Sequence, residues 1–231
     1  METGERFARS EALLGKEAMR RLAEAHVLVV GVGGVGSWCA EALVRTGVGH
    51  VALMDDDTVA ESNVNRQCPA TAETLGQAKV AAMARRLRAI SPECEVGERF
   101  ERFVKFGEIG AFDMIVDAID SVDCKAELIL GATEAGVPIV SSMGAALRTD
   151  PTKVRVTRFE KVEGDGLAKA LRQRFRRIGR FPEAKFSCVW SAEPAVPAAG
   201  TERGSVMPVT ATFGMCLASE AIKTITKGER K

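Results

Sequence analysis

Apolar residues follow two alternating rhythms along this chain. The segment 26–30, HVLVV, is a continuous apolar run of the kind shown by a strand buried on both faces. It ends in glycines and is followed by helical spacing over 37–46 and a second strand pattern, HVALMD, at 50–55. Together these make a βαβ unit of about thirty residues, the size that unit requires. The pattern then predicts a helix over 76–90 stopped by Ser91 and Pro92, strands over 94–100 and 113–118, a helix over 122–136 and a strand over 138–141. Ahead of the first strand, Leu13, Leu14, Ala18 and Leu22 approximate helical spacing within 10–24.

Beyond Met143 the character changes. Residues 150–162 alternate as a sheet strand does, 167–180 are helical and basic, and 192–205 are rich in proline, alanine and glycine, as surface loops are. A closing helix is expected over 210–226. The fold class expected is α/β: a Rossmann-like, mostly parallel sheet with flanking helices and an elaborated C-terminal part. A length of 231 residues suits one domain, with 1–142 as its nucleotide-binding half and 143–231 as its substrate-binding and dimerisation half.

With 46% hydrophobic and 27% charged residues, the composition excludes a disordered or fibrous chain. No run approaches the roughly 18 apolar residues of a membrane span, and the first twenty residues are charged where a signal peptide is apolar, so a cytoplasmic location without membrane contact is expected. The six cysteines form no C-x-x-C pair, which argues against a disulfide framework and a structural zinc. Cys39 and Cys216 lie in apolar segments and are expected to be buried.

The first chemistry to emerge is nucleotide binding. GVGGVGS at 31–37 follows a strand and opens a helix, so backbone amides and the helix N-terminus can face phosphate oxygens. Gly31, Gly33 and Gly36 allow the tight turn. Asp55 ends the next strand, nineteen residues past Gly36, where a carboxylate accepts from ribose hydroxyls. These features alone do not separate ATP from a nicotinamide dinucleotide.

The stretch DDDTVAESNVNRQ at 55–67, with the glycine motif, resembles the adenylating enzymes that activate ubiquitin-like proteins and sulfur carriers. The resemblance implies ATP and magnesium as cofactors. It assigns the ribose to Asp55 and the triphosphate to Asn63, Arg66, Gln67 and Lys79, with Gly34, Ser37 and Asp57 in the same nucleotide-binding set. It further implies magnesium at Asp120, and a homodimer in which Arg9 enters the partner's site. Such a cluster of cations suits attack of a carboxylate on an α-phosphate, where negative charge gathers. Hydride transfer needs none of it.

Within that superfamily the whole chain is similar to the tRNA threonylcarbamoyladenosine dehydratases, through RFARSEALLGKEAMRRL, GVGGVGSWCAEALVRTGVG, DDDTVAESNVNRQ, the SSMGA…DPTKV crossover and TATFGMCLASEAIK. The crossover departs from the family at residues 145–149, Ala-Ala-Leu-Arg-Thr, where a further glycine and a basic residue are usual. The resemblance implies ATP-dependent cyclisation of threonylcarbamoyladenosine in tRNA through an adenylated carboxylate, and a cysteine-desulfurase or sulfur-acceptor system as a further partner. Residues 151–185 carry eleven basic against four acidic side chains, a local excess suited to RNA, with Arg172, Arg174, Arg176, Arg177 and Arg180 as candidate contacts. Cys188, in KFSCVWS, is the candidate for a covalent step. The alternative is adenylation of the C-terminus of a ubiquitin-like or sulfur-carrier protein, against which the missing zinc cysteines and the basic segment count.

Overall fold

The structure is a computed structural model and describes residues 5–104, 108–198, 200 and 203–227. Seven strands form one sheet in the order β3-β2-β1-β4-β5-β7-β6. They are β1 (His26–Val30), β2 (His50–Met54), β3 (Glu95–Arg99), β4 (Met114–Asp117), β5 (Ile139–Ser142), β6 (Val154–Arg158) and β7 (Ser187–Ser191). All neighbours pair in parallel except β6, which lies antiparallel to β7 at the edge. The expected sheet is thus present, and it runs without a break through both the 1–142 and the 143–231 stretches.

The helices are α1 (Ala8–Leu14), α2 (Lys16–Glu24), α3 (Gly36–Thr46), α4 (Lys79–Ile90), α5 (Val122–Glu134), α6 (Gly166–Ile178) and α7 (Met207–Lys227). On one face of the sheet α2, α3, α4 and α7 bury Leu22, Leu43, Met83, Leu87, Phe213 and Leu217. On the other, α5 and α6 bury Leu128, Ile129, Leu171 and Phe175 with Phe159 and Phe186. This three-layer arrangement follows from strands that are apolar on both faces, because each face must be covered.

Two expectations need correction. The single opening helix is two, broken at Gly15, which adopts φ 83°. β7 was not expected: its five residues bury Cys188 and Val189 between β5 and β6, strands that reach it from elsewhere in the chain. Among the described residues no helix is long and apolar enough to cross a membrane.

Candidate active site

The sheet reverses its winding between β1 and β4, and in such sheets ligands lie beyond the carboxyl ends of the strands at that point. The glycine turn leaves β1 there. Gly31 adopts φ 88°, and a Cβ on it would stand 2.6 Å from the Ala118 carbonyl oxygen at the β4 end. A Cβ on Gly36 would stand 1.8 Å from the Gly31 oxygen. Only glycine lets this backbone close on itself, and in the turn the Ser37 amide donates to the Gly33 carbonyl at 3.2 Å and the Cys39 amide to that of Val35 at 3.1 Å.

Asp55, at the β2 end, accepts from the Val32 amide at 2.6 Å and the Asp57 amide at 2.9 Å, which locks the turn to the carboxylate. Burial pushes its carboxyl up from the usual aspartate range, opposed by Lys79 and by those two amides. Lys79 opens α4 with its side chain 7% exposed and its ammonium 2.6 Å from Asp57. Asp55, Asp56 and Asp57 each offer an oxygen within 4.8 Å of the others.

The segment 61–67 folds onto the glycine turn. Arg66 is held by its backbone, whose carbonyl accepts from the Trp38 indole at 2.9 Å, while its guanidinium donates to the Ser62 carbonyl and the Asn65 side chain. A Cβ on Gly34 would stand 3.1 Å from the Arg66 stem and 3.5 Å from Thr210 on α7, so the absent side chain leaves a cradle beside Arg66. Gln67 is buried at 7% exposure, close to Gly33, and its Oε1 has no hydrogen-bond partner among the described residues. A buried acceptor left unsatisfied costs stability unless a ligand meets it. Nucleotide hydroxyls suit it.

Gly31, Gly33, Gly34, Gly36, Asp55, Asp57, Arg66, Gln67 and Lys79 are therefore brought to one end of the sheet. Asp120 joins them on the β4–α5 turn, exposed to solvent. Asn63 sits beneath the site, where its Oδ1 caps the Ala60 amide at 3.0 Å.

Other expected residues are placed differently. Ser37 is fully buried: its hydroxyl donates to the Gly33 carbonyl at 2.6 Å and accepts from the Cys68 amide at 3.1 Å, so it ties 61–68 to the turn instead of facing a ligand. Arg9 lies two residues from Phe7, which packs beside Gly47 at the end of α3 away from the glycine turn. Eleven helical residues separate that point from the glycine turn by about 16 Å.

The basic helix α6 is not a free basic face. Arg172 donates to the carbonyls of Phe159 and Val162 and stacks over the Phe159 ring. Arg174 and Arg177 lie 2.7 and 3.8 Å from Asp123, and Arg180 pairs with Glu127 and Glu134. Packing of α6 against α5 thus sets Arg174, Arg177 and Arg180 beside acidic partners. Arg176 is exposed, with no such contact among the described residues.

Cys188 is fully buried in β7, and burial pushes its thiol far up. Cys39 is buried as expected, whereas Cys216 is half-buried. A groove of about 870 Å³ at the amino ends of the strands, lined by Arg20, Glu24, Arg158 and Lys223, shares no residue with this site.

The sequence reading missed one group. Directly under Asp120, the fully buried Asp117 accepts from Lys125 at 2.7 Å and from the Ser141 hydroxyl at 2.6 Å. Its other oxygen accepts from the Ile119 amide at 3.1 Å, fixing the turn that bears Asp120. A lysine eight residues after an aspartate, inside a helix, was available as a clue.

The model of the ThiF family matches residues 7–231 of the chain. The tRNA threonylcarbamoyladenosine dehydratase of Escherichia coli K12 is 38% identical over 95% of this chain and 92% of its own length. That of Bacillus subtilis 168 is 41% identical over 75% of this chain and 70% of its own. Crystal structures of the E. coli tRNA N6-threonylcarbamoyladenosine dehydratase in complex with AMP and with ATP superpose with TM-scores of 0.90 and 0.89. Both share 39% identity and span 96% of this chain and 94% of theirs. The chain belongs to the ThiF family, on its tRNA threonylcarbamoyladenosine dehydratase branch.

Proposed function

We propose that this chain uses ATP to activate the threonine carboxylate of threonylcarbamoyladenosine in tRNA, after which a nucleophile of the same group closes a ring and AMP leaves. The net change is loss of water. The observation that carries this is the convergence of the glycine turn, Asp55, Arg66, Lys79 and the unsatisfied Gln67 oxygen at the switch point of one sheet.

Asp55 receives the ribose, and the amides opening α3 receive phosphate oxygens. Arg66 and Lys79 stabilise charge on the α-phosphate as the carboxylate attacks. For Lys79 this means exchanging Asp57 for phosphate. Asp120 would hold magnesium, which would supply further charge neutralisation on the phosphates.

Ring closure is intramolecular, worth an effective molarity on the order of 10⁵ M or more, so positioning suffices and no covalent thiol is needed. That agrees with the burial of Cys188. In this reading the chain forms a homodimer and Arg9 enters the partner copy's site. RNA affinity then draws on Arg176 and on α6 arginines that trade acidic partners for phosphate. A sulfur-acceptor partnership gains no support from the cysteines, all of them buried or half-buried.

The test is AMP release from ATP with three substrates: tRNA bearing the modification, the same tRNA without it, and a carrier protein with a free C-terminus. Release with the first alone supports the proposal. Pyrophosphate exchange with the carrier alone supports the alternative.

A further inference from the structure

The segment that carries Arg66 and Gln67 is pinned to the glycine turn by the first turns of α3. The Trp38 indole donates to the Arg66 carbonyl at 2.9 Å. The Ser37 hydroxyl accepts from the Cys68 amide at 3.1 Å and donates to the Gly33 carbonyl at 2.6 Å, so Cys68 and the glycine turn share one hydroxyl. Four residues further along the helix, on the same side as Ser37, the Glu41 carboxylate accepts from the Cys68 thiol at 2.9 Å. Among the described residues, these three bonds are the hydrogen bonds that reach 66–68 from beyond 61–70.

Each contact is backed from behind. Cys68 is 8% exposed, and burial together with the neighbouring Glu41 carboxylate pushes its thiol up to about 12, so it keeps the proton it donates. Glu41 is held by Arg45, one turn on in α3, and by Arg86 of α4. Arg86 stands two helical turns after Lys79, so the same carboxylate fixes α3 against the helix that presents Lys79. Behind Trp38 lies α7, where a Cβ on Gly214 would stand 2.9 Å from the Trp38 Cβ.

The Arg66 guanidinium has no such anchor of its own. It donates to the Ser62 carbonyl and the Asn65 side chain, both within its own segment. Where it stands relative to the glycine turn is therefore set by the backbone of 66–68, and that backbone is set by α3.

We propose that Trp38 and the Cys68–Glu41 pair are positioning groups for the adenylation step, fixing the Arg66 guanidinium against the phosphates held at the glycine turn. This rests on the function proposed above. A small misplacement of a charge-stabilising cation costs rate, because its strongest interaction is made only as charge gathers on the α-phosphate. Loosening either contact therefore lowers kcat and leaves KM for ATP nearly unchanged.

W38F, C68V and C68S in the full chain test this, at a temperature where all are folded. W38F removes the indole N–H and keeps a ring against α7. C68V removes the thiol donor at nearly constant volume, and C68S restores a donor. W38F lowers kcat for AMP release with modified tRNA about tenfold, with KM for ATP within about twofold of the wild type. C68V lowers kcat about three- to tenfold, and C68S recovers most of that loss. A purely structural role lowers the melting temperature and leaves kcat of the folded protein alone. Wild-type kcat in folded W38F or C68V, equal losses in C68V and C68S, or a loss confined to KM for ATP overturns the proposal. If W38F does not fold, the two Cys68 variants decide.

A second readout does not depend on turnover. In a W190F background Trp38 is the only tryptophan, and its fluorescence reports the bond to the Arg66 carbonyl. C68V shifts this emission to the red as 66–68 loosens, and C68S does not. An emission unmoved by C68V shows that the two contacts act separately and overturns the proposal. A wild type that releases no AMP with modified tRNA removes the underlying function instead, and the Trp38 emission still shifts in C68V.

Discussion

Replacing Lys125 by methionine leaves Asp117 as a buried carboxylate without its cation. Both side chains are fully buried in the wild type, 2.7 Å apart. Breaking such a pair from one side costs about 3–5 kcal/mol, because the remaining charge stays desolvated and unpaired. In K125M the Ser141 hydroxyl and the Ile119 amide still donate to Asp117, which places the loss near the lower figure. Against a total stability of about 5–15 kcal/mol for a domain, that is a large share. In urea, with a slope of about 2–3 kcal/mol per molar, the midpoint falls by roughly 1–1.5 M. The two tryptophans, Trp38 and Trp190, report the transition. D117N/K125M, which removes both charges, recovers to within about 1 kcal/mol of the wild type. A K125M midpoint within a few tenths molar of the wild type would refute the assignment of an intact buried pair.

Three further outcomes are expected. R66A or K79A abolishes AMP formation while the far-ultraviolet circular dichroism stays that of the wild type; near-normal turnover in either variant removes that residue from the site. C188A keeps AMP formation with modified tRNA, since the thiol is sealed inside the sheet; loss of turnover in a folded C188A restores a covalent role. Burial pushes the Glu41 carboxyl up, but hydrogen bonds from Arg86, Cys68 and Arg45 outweigh it and hold the group at about 2 against an ordinary 4.5. A depressed carboxyl stabilises the fold above its unfolded value and loses that contribution as pH falls toward the folded one. E41Q therefore flattens the decline in stability between pH 4.5 and 2, and an unchanged acid limb in urea titrations contradicts it.

How legible the molecule was in its sequence varied with the kind of feature. β1, β2 and their helix are plain because apolar runs, glycines and Asp55 occur in one local stretch. β7 escaped because SCVWS is buried by strands that arrive from elsewhere in the chain. Ser37 shows the limit of motif reasoning: its place in the glycine motif suggested a ligand contact, yet its hydroxyl is consumed by Gly33 and Cys68. On α6 the excess of arginine is local in sequence, whereas its partners Asp123, Glu127 and Glu134 arrive from another helix and could not be read from it. Asp117 with Lys125 depends on burial, which spacing alone does not reveal.

The most direct measurement incubates the purified chain with magnesium-ATP and tRNA carrying threonylcarbamoyladenosine, digests the RNA and weighs its nucleosides by mass spectrometry. Loss of one water from that nucleoside, dependent on ATP and matched mole for mole by AMP, is the expected result. An unchanged nucleoside mass in the presence of ATP hydrolysis, or a mass change without ATP, contradicts the function proposed for this site.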